Sequence, residues 1–161
     1  MQFSKSTGYA LHALIHLAHG ERGQNVGIKE LARTLSVSES YLSKIMSKLR
    51  QDGIVRAVTG VSGGYELARD ASQITFLEVI QVVEGRQHLY DCFSIDEQHH
   101  PMFFEAEKVE PEDADSSEPV FAFGKDCLVK KVMDGAERQM YDYLRKHTIQ
   151  WILDSAACHN K

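Results

Sequence analysis

The chain has 161 residues, enough for one compact domain with a real core or for a small domain carrying an extra arm, and its 43% hydrophobic and 25% charged residues are those of a soluble globular protein. No apolar run approaches the roughly 20 residues that span a bilayer, and the N-terminus lacks the apolar h-region and cleavage site of a signal peptide, so no membrane association is expected and the cytoplasm is the expected compartment. The net charge of −5 is uneven: residues 1–70 hold 9 Lys and Arg against 6 Asp and Glu, a balance of +3, whereas residues 71–161 hold 9 against 17, a balance of −8.

The first predicted helix covers residues 3–20, with Tyr9, Ala10, Leu14, Leu17 and Ala18 on one side and Leu11 and Ile15 widening the apolar face. That width implies burial on more than one side. His12 and His16 have the spacing of a helical metal pair, with His19 three residues on, but the helix holds no acidic residue and ordinary partly buried imidazoles are the better reading. Gly20 to Gly27 reads as a polar loop. Ile28, Leu31, Ala32 and Leu35 predict a short second helix, and Ser36-Val37-Ser38 a tight corner after it.

The third helix is the stretch around which the rest is arranged. Ser38 supplies the hydroxyl of an N-cap, Glu39 a carboxylate for the first turn, and Gly53 the stop. Leu42, Ile45, Met46 and Leu49 share one face, while Ser40, Tyr41, Ser43, Lys44, Ser47 and Lys48 lie off it. Hydroxyls and ammonium groups without carboxylates among them suit a surface that meets phosphates and base edges. Two helices joined by so short a turn make a helix-turn-helix. The period then changes: residues 54–58 and 65–68 are β-prone around a turn with three glycines, which predicts a β-hairpin wing whose backbone amides approach phosphates closely.

With these motifs in place, residues 1–85 resemble the IscR/NsrR/CymR-type family of bacterial winged-helix transcription regulators. The resemblance rests on Gly-Tyr-Ala-Leu in the first helix, Ile-Lys-Glu-Leu-Ala in the second, Ser-Tyr-Leu-Ser-Lys-Ile in the third and Gly-Val-Ser-Gly-Gly-Tyr-Glu-Leu-Ala in the wing. It extends through Thr75–Gly85, a helix opened by a capping box of Thr75 with Glu78 and striped by Phe76, Val79, Ile80 and Val83. The expected fold is mainly α with a small β-wing: a winged helix-turn-helix domain over 1–85, a sensor or insertion loop over 86–126, and a long dimerisation helix and tail over 127–161. Thr59 stands where members of the family often carry a basic residue before the wing tip, so no minor-groove contact is expected from it.

The segment 105–118 has seven acidic residues against one lysine and reads as a linker or loop. From Cys127 to about Asp154 a continuous helix is expected. Its Val129, Met133, Ala136, Met140, Tyr143, His147 and Trp151 form a seam suited to an identical helix from a second subunit, which is the family's arrangement.

In cluster-binding members of the family three cysteines sit close together before the dimer helix. Here 34 residues separate Cys92 from Cys127, the middle one is missing, and Gly8 and Lys130 occupy positions where relatives place other ligands. No cofactor and no metal is therefore expected. Cys127 falls at a helix start, where unpaired amides lower a thiol pKa, so Cys92 and Cys127 read as a redox pair. An iron–sulfur cluster, another metal sensor and inert cysteines remain the alternatives.

The function expected is that of a homodimeric repressor on a palindromic double-stranded operator, with affinity controlled by oxidation of Cys92 and Cys127. Ser38, Ser40, Tyr41, Ser43 and Lys44 are the base-reading candidates. Lys48, Arg56 and the wing residues Ser62, Gly63, Gly64 and Tyr65 are the phosphate-holding ones. A regulator controlled by a protein docking on the acidic loop is the competing reading. No enzyme is expected, since no nucleophile elbow, phosphate loop or paired-carboxylate site occurs.

Overall fold

The computed structural model describes residues 3–20, 24–60, 63–86, 88, 90 and 128–159. Its elements in order are α1 (Lys5–His19), α2 (Ile28–Thr34), α3 (Glu39–Gln51), β1 (Val55–Val58), β2 (Gly64–Leu67), a single 3₁₀ turn (Ala71–Gln73), α4 (Phe76–Glu84), α5 (Leu128–Lys146) and α6 (Ile149–His159). They fall into two compact units, one of residues 1–87 with 139–161 and one of residues 88–138.

In the first unit the apolar stripes meet in one core. Leu14 of α1, Leu31 of α2, Leu42, Met46 and Leu49 of α3, Ile54 and Ile74 are all fully buried, and Val79 of α4 joins them. The fully buried Ile149 belongs to the same core and comes from the far end of the chain. β1 and β2 pair antiparallel with Val55 opposite Leu67, Arg56 opposite Glu66, Ala57 opposite Tyr65 and Val58 opposite Gly64. A third segment, the loop after α1, adds one rung of its own on the other side of β2, where Val26 and Tyr65 exchange both backbone hydrogen bonds at 2.9 Å.

The predicted single helix from Cys127 to Asp154 is two helices. His147 and Thr148 leave the helix, and the backbone groups released there are taken up by the winged domain: Phe76 donates its N–H to the His147 carbonyl at 2.9 Å, and Ile149 donates to the Ile74 carbonyl at 3.0 Å. The Thr148 hydroxyl accepts from the Trp151 N–H at 3.1 Å and caps α6. α6 then packs on α1 and the 3₁₀ turn. The winged domain thus takes in the start of α6, with Ile149 buried in its core. Burying one isoleucine side chain is worth about 1.5–3 kcal/mol.

In the second unit, Glu137 of α5 is nearly buried and lies 3.4 Å from the His88 ring. Lys130 pairs with Asp134 one turn along the same helix.

Candidate nucleic-acid interface

The turn between α2 and α3 is fixed by hydrogen bonds that end one helix and start the next. Ser36 N–H reaches the Arg33 carbonyl at 3.2 Å and Val37 N–H reaches the Ala32 carbonyl at 3.0 Å, the double closure of a Schellman cap. That cap needs a left-handed residue, and Ser36 supplies it at φ 53°, the only positive φ outside glycine among the described residues. α3 then opens with Ser38, whose hydroxyl accepts from the Tyr41 N–H at 3.4 Å. It closes with a second such cap, Gly53 at φ 69° and Ile54 N–H bonded to the Leu49 carbonyl at 2.9 Å. Both ends of the recognition helix are therefore set by local chemistry, and its burial on Leu42, Ile45, Met46 and Leu49 fixes which face looks out.

On that outward face Ser38, Ser40, Tyr41 and Lys44 are exposed and Ser43 is half-buried. Tyr41 is also held from behind: its hydroxyl lies 2.6 Å from the Ser6 hydroxyl, and its ring meets Tyr9 edge-on at 5.9 Å. Lys48 is exposed as well, and its ammonium donates to the Val83 carbonyl at the end of α4, at 2.9 Å.

In the wing, Arg56 forms a cross-strand ion pair with Glu66 at 2.7 Å, so part of its charge is already answered. Gly63, Gly64 and Tyr65 are half-buried. Gly64 is required by the rung with Val26, because a Cβ there would stand 2.5 Å from the Val26 carbonyl oxygen. Arg69, at the exit of the wing, donates to the Gly53 carbonyl at 3.3 Å and to Glu78 at 2.6 Å, tying the wing base to the ends of α3 and α4. The Thr75 hydroxyl caps α4 as the capping box requires, accepting from the Glu78 N–H at 3.2 Å, while the Glu78 carboxylate takes Arg69.

A carboxylate that sequence reading passed over sits behind the recognition helix. Glu84 accepts from the Ser4 N–H at 2.8 Å and from the Thr7 hydroxyl, which is buried. Desolvation pushes its pKa up, but the hydrogen bonds from Thr7 and Ser4, with the nearby charge of Lys48, outweigh it and hold the carboxyl below its usual range.

Of the expected dimer seam, Val129, Met133, Tyr143 and Trp151 are 39%, 36%, 64% and 47% exposed, Ala136 is exposed, and Met140 and His147 are half-buried. Leu128 and Val132, which the seam did not include, are more exposed still at 60% and 70%. Tyr143, His147 and Trp151 stack in a row, with centroids 4.3 and 4.5 Å apart. Ser62, Cys92, Cys127 and the acidic segment 105–118 lie outside the described residues. Cys158 is exposed on α6.

A helix-turn-helix presenting hydroxyls and a lysine, braced by a β-hairpin wing, defines a winged-helix DNA-binding protein. From residue 3 to residue 155 the chain matches the Rrf2 family, described as iron-dependent transcriptional regulators, and it belongs to that family. The family is one of transcriptional regulators rather than enzymes. Among relatives, the aau3 protein of Rhizobium meliloti is 38% identical over 103 residues, 63% of this chain and 66% of the relative. The regulator NsrR of Bacillus subtilis is 34% identical over 93 residues, 58% of this chain and 64% of NsrR. Both matches thus span just under two thirds of the relative's length. Among solved structures, CymR of B. subtilis, titled its global cysteine regulator, superposes with a TM-score of 0.66 at 22% identity, covering 96% of this chain and 98% of CymR. The family resemblance read from the motifs is borne out by these matches.

The family's iron finds no holder among the described residues, where no group of three or more His, Cys, Asp or Glu is placed to bind a metal. His12 and His16 gain no third ligand. No helix among them is long and apolar enough to cross a membrane.

Proposed function

We propose that the protein is a cytoplasmic homodimeric repressor that binds a palindromic operator and loses operator affinity when Cys92 and Cys127 are oxidised. The observation that carries the DNA reading is the outward face of α3, where Ser38, Ser40, Tyr41 and Lys44 stand exposed beside Ser43. These side chains read base edges, while Arg56 and the wing residues Ser62 to Tyr65 hold phosphates. Two copies related by a two-fold axis read half-sites one helical turn, or a multiple of it, apart. Dimerisation is supported by the apolar strip along α5, which no described segment of the same chain covers at Leu128, Val129, Val132 and Tyr143.

In sequence Cys127 directly precedes Leu128, the first residue of α5, and follows Lys125 by two positions, which supports reading it as the thiol that ionises first. With peroxide as oxidant the thiolate attacks one oxygen and breaks the O–O bond, giving a sulfenic acid and hydroxide, which takes up the proton the thiol had released and becomes water. The Cys92 thiol then displaces a second water to form the disulfide, so two thiols and one peroxide give one disulfide and two waters.

The test is selection of duplexes from a random pool by the reduced full chain, followed by binding before and after diamide, with sedimentation to give the subunit count. An enriched palindrome, bound by a dimer and released on oxidation, is the expected result, and Cys92→Ser with Cys127→Ser removes the response. Enrichment of no sequence refutes the DNA reading. Binding that is indifferent to diamide refutes the thiol control alone.

A further inference from the structure

Three polar ties close a triangle behind the recognition helix. In the first turn of α3, the Tyr41 hydroxyl meets Ser6 of α1 at 2.6 Å. Seven residues on, the Lys48 ammonium donates to the Val83 carbonyl of α4 at 2.9 Å. The third side joins α4 back to α1, through Glu84 to the Ser4 N–H at 2.8 Å and to the Thr7 hydroxyl.

One of these groups, Glu84, stands where ordinary helix chemistry would place something else. Glu84 is the last residue of α4, and a carboxylate there opposes the negative end of the helix dipole. What offsets that cost is its reach out of the helix to Ser4 and Thr7, with the charge of Lys48 close by. Lys48, exposed in the last turn of α3, crosses to α4 and satisfies one of the carbonyls that a helix C-terminus leaves without a partner. A residue that breaks a local rule and is compensated only by contacts to neighbouring elements is held there by what it does for those neighbours. Here the neighbours are the two helices against which α3 rests.

We propose that Lys48 and Glu84 are positioning residues for DNA recognition: they fix the seat of α3 against α4 and α1 and touch no DNA themselves. The inference rests on the reading of α3 as the DNA-reading helix. It assigns Lys48 differently from its chain neighbour Lys44, although the two look alike in sequence. It also makes Glu84 a specificity element from the side of the helix facing away from the bases, since a shift of α3 moves Ser40, Tyr41, Ser43 and Lys44 together.

The experiment uses the full chain and a duplex enriched by the wild type, with affinity measured by anisotropy from about 50 to 200 mM KCl. Each phosphate contact contributes about 0.9 to the slope of log affinity against log salt, so loss of one lowers the slope by about 1. Lys48→Met and Glu84→Gln are each expected to weaken binding about tenfold with the slope unchanged. Lys44→Met is expected to lower the slope by about 1. Lys48→Arg keeps a donor for the Val83 carbonyl and restores affinity to within about threefold of wild type. Glu84→Gln preserves side-chain shape and carries the test if Lys48→Met does not fold. A slope lowered by about 1 in Lys48→Met identifies a phosphate contact and overturns the proposal, as does unchanged affinity in both variants. Failure of the wild type to enrich any duplex would instead refute the DNA reading on which the inference stands.

Discussion

Replacing Ile149 by alanine tests whether the tail of the chain belongs to the core of the winged domain. Ile149 is fully buried in the core of the winged domain, on a helix packed against α1 and the 3₁₀ turn, and its N–H is bonded to the Ile74 carbonyl at 3.0 Å. The substitution removes three carbons, worth about 2.4 kcal/mol at roughly 0.8 kcal/mol each. The cavity left behind adds to this, within the range of about 2–5 kcal/mol seen for such truncations. A loss of about 3 kcal/mol is therefore expected. Urea unfolding at a fixed protein concentration measures it: with a slope of about 1.5 kcal/mol/M, the midpoint falls by about 2 M and the slope stays the same. Trp151→Ala on the same helix is the comparison, since that ring is 47% exposed and much less of its surface is withdrawn from water. A midpoint shift below about 0.5 M for Ile149→Ala would show that α6 contributes little to the domain and would refute the packing argument.

Three further outcomes follow from local geometry. Ser36→Gly removes a left-handed penalty of about 1–2 kcal/mol and adds unfolded-state entropy of about 0.5–1 kcal/mol, so thermal unfolding should show a net stabilisation of about 0.5–1 kcal/mol. Gly64→Ala sets a Cβ against the Val26 carbonyl oxygen and should open the rung beside it, with faster amide exchange at Val26 and Tyr65 and weaker DNA binding. Glu84 has a folded-state pKa below its ordinary 4.5, so the stability it contributes is fully present above that value and is lost as pH falls through the folded one. Glu84→Gln should accordingly flatten the fall in stability on acidification below about pH 4.5, measured by unfolding at a series of pH values.

Much of the winged domain could be read from residues alone because its signals are local. Ser38 as a cap, Gly53 as a stop, the stripe from Leu42 to Leu49 and the glycines of the wing each act within a few residues of themselves, and the structure places them as that chemistry requires. What escaped were features joining distant segments. Nothing in the sequence around Val26 announces a rung shared with Tyr65, some 40 residues on. The break at His147–Thr148 interrupts an apolar seam that steps evenly by three and four, and only the docking of Phe76 and Ile74 explains it. The hydroxyl and cap of Thr148 were the available hint. At the interface, exposure of Ser40 and Lys44 followed from periodicity, whereas periodicity makes Lys44 and Lys48 equivalent. Glu84 had no signal except its sign, a carboxylate at the wrong end of a helix.

The burial of Ile149 beside Ile74 also governs when the protein can fold. A chain emerging from the ribosome completes Glu84 and then needs 65 more residues before Ile149 exists, since 149 − 84 = 65. At about 5–20 residues per second that is roughly 3–13 s. During that interval the first four helices and the wing are all synthesised, yet the hole beside Ile74 stays open to water and to other nascent chains. The DNA-reading domain is sequential in its motifs but not in its closure. Its completion waits for Ile149, and a chaperone that shields apolar surface has its longest opportunity on this protein between those two moments.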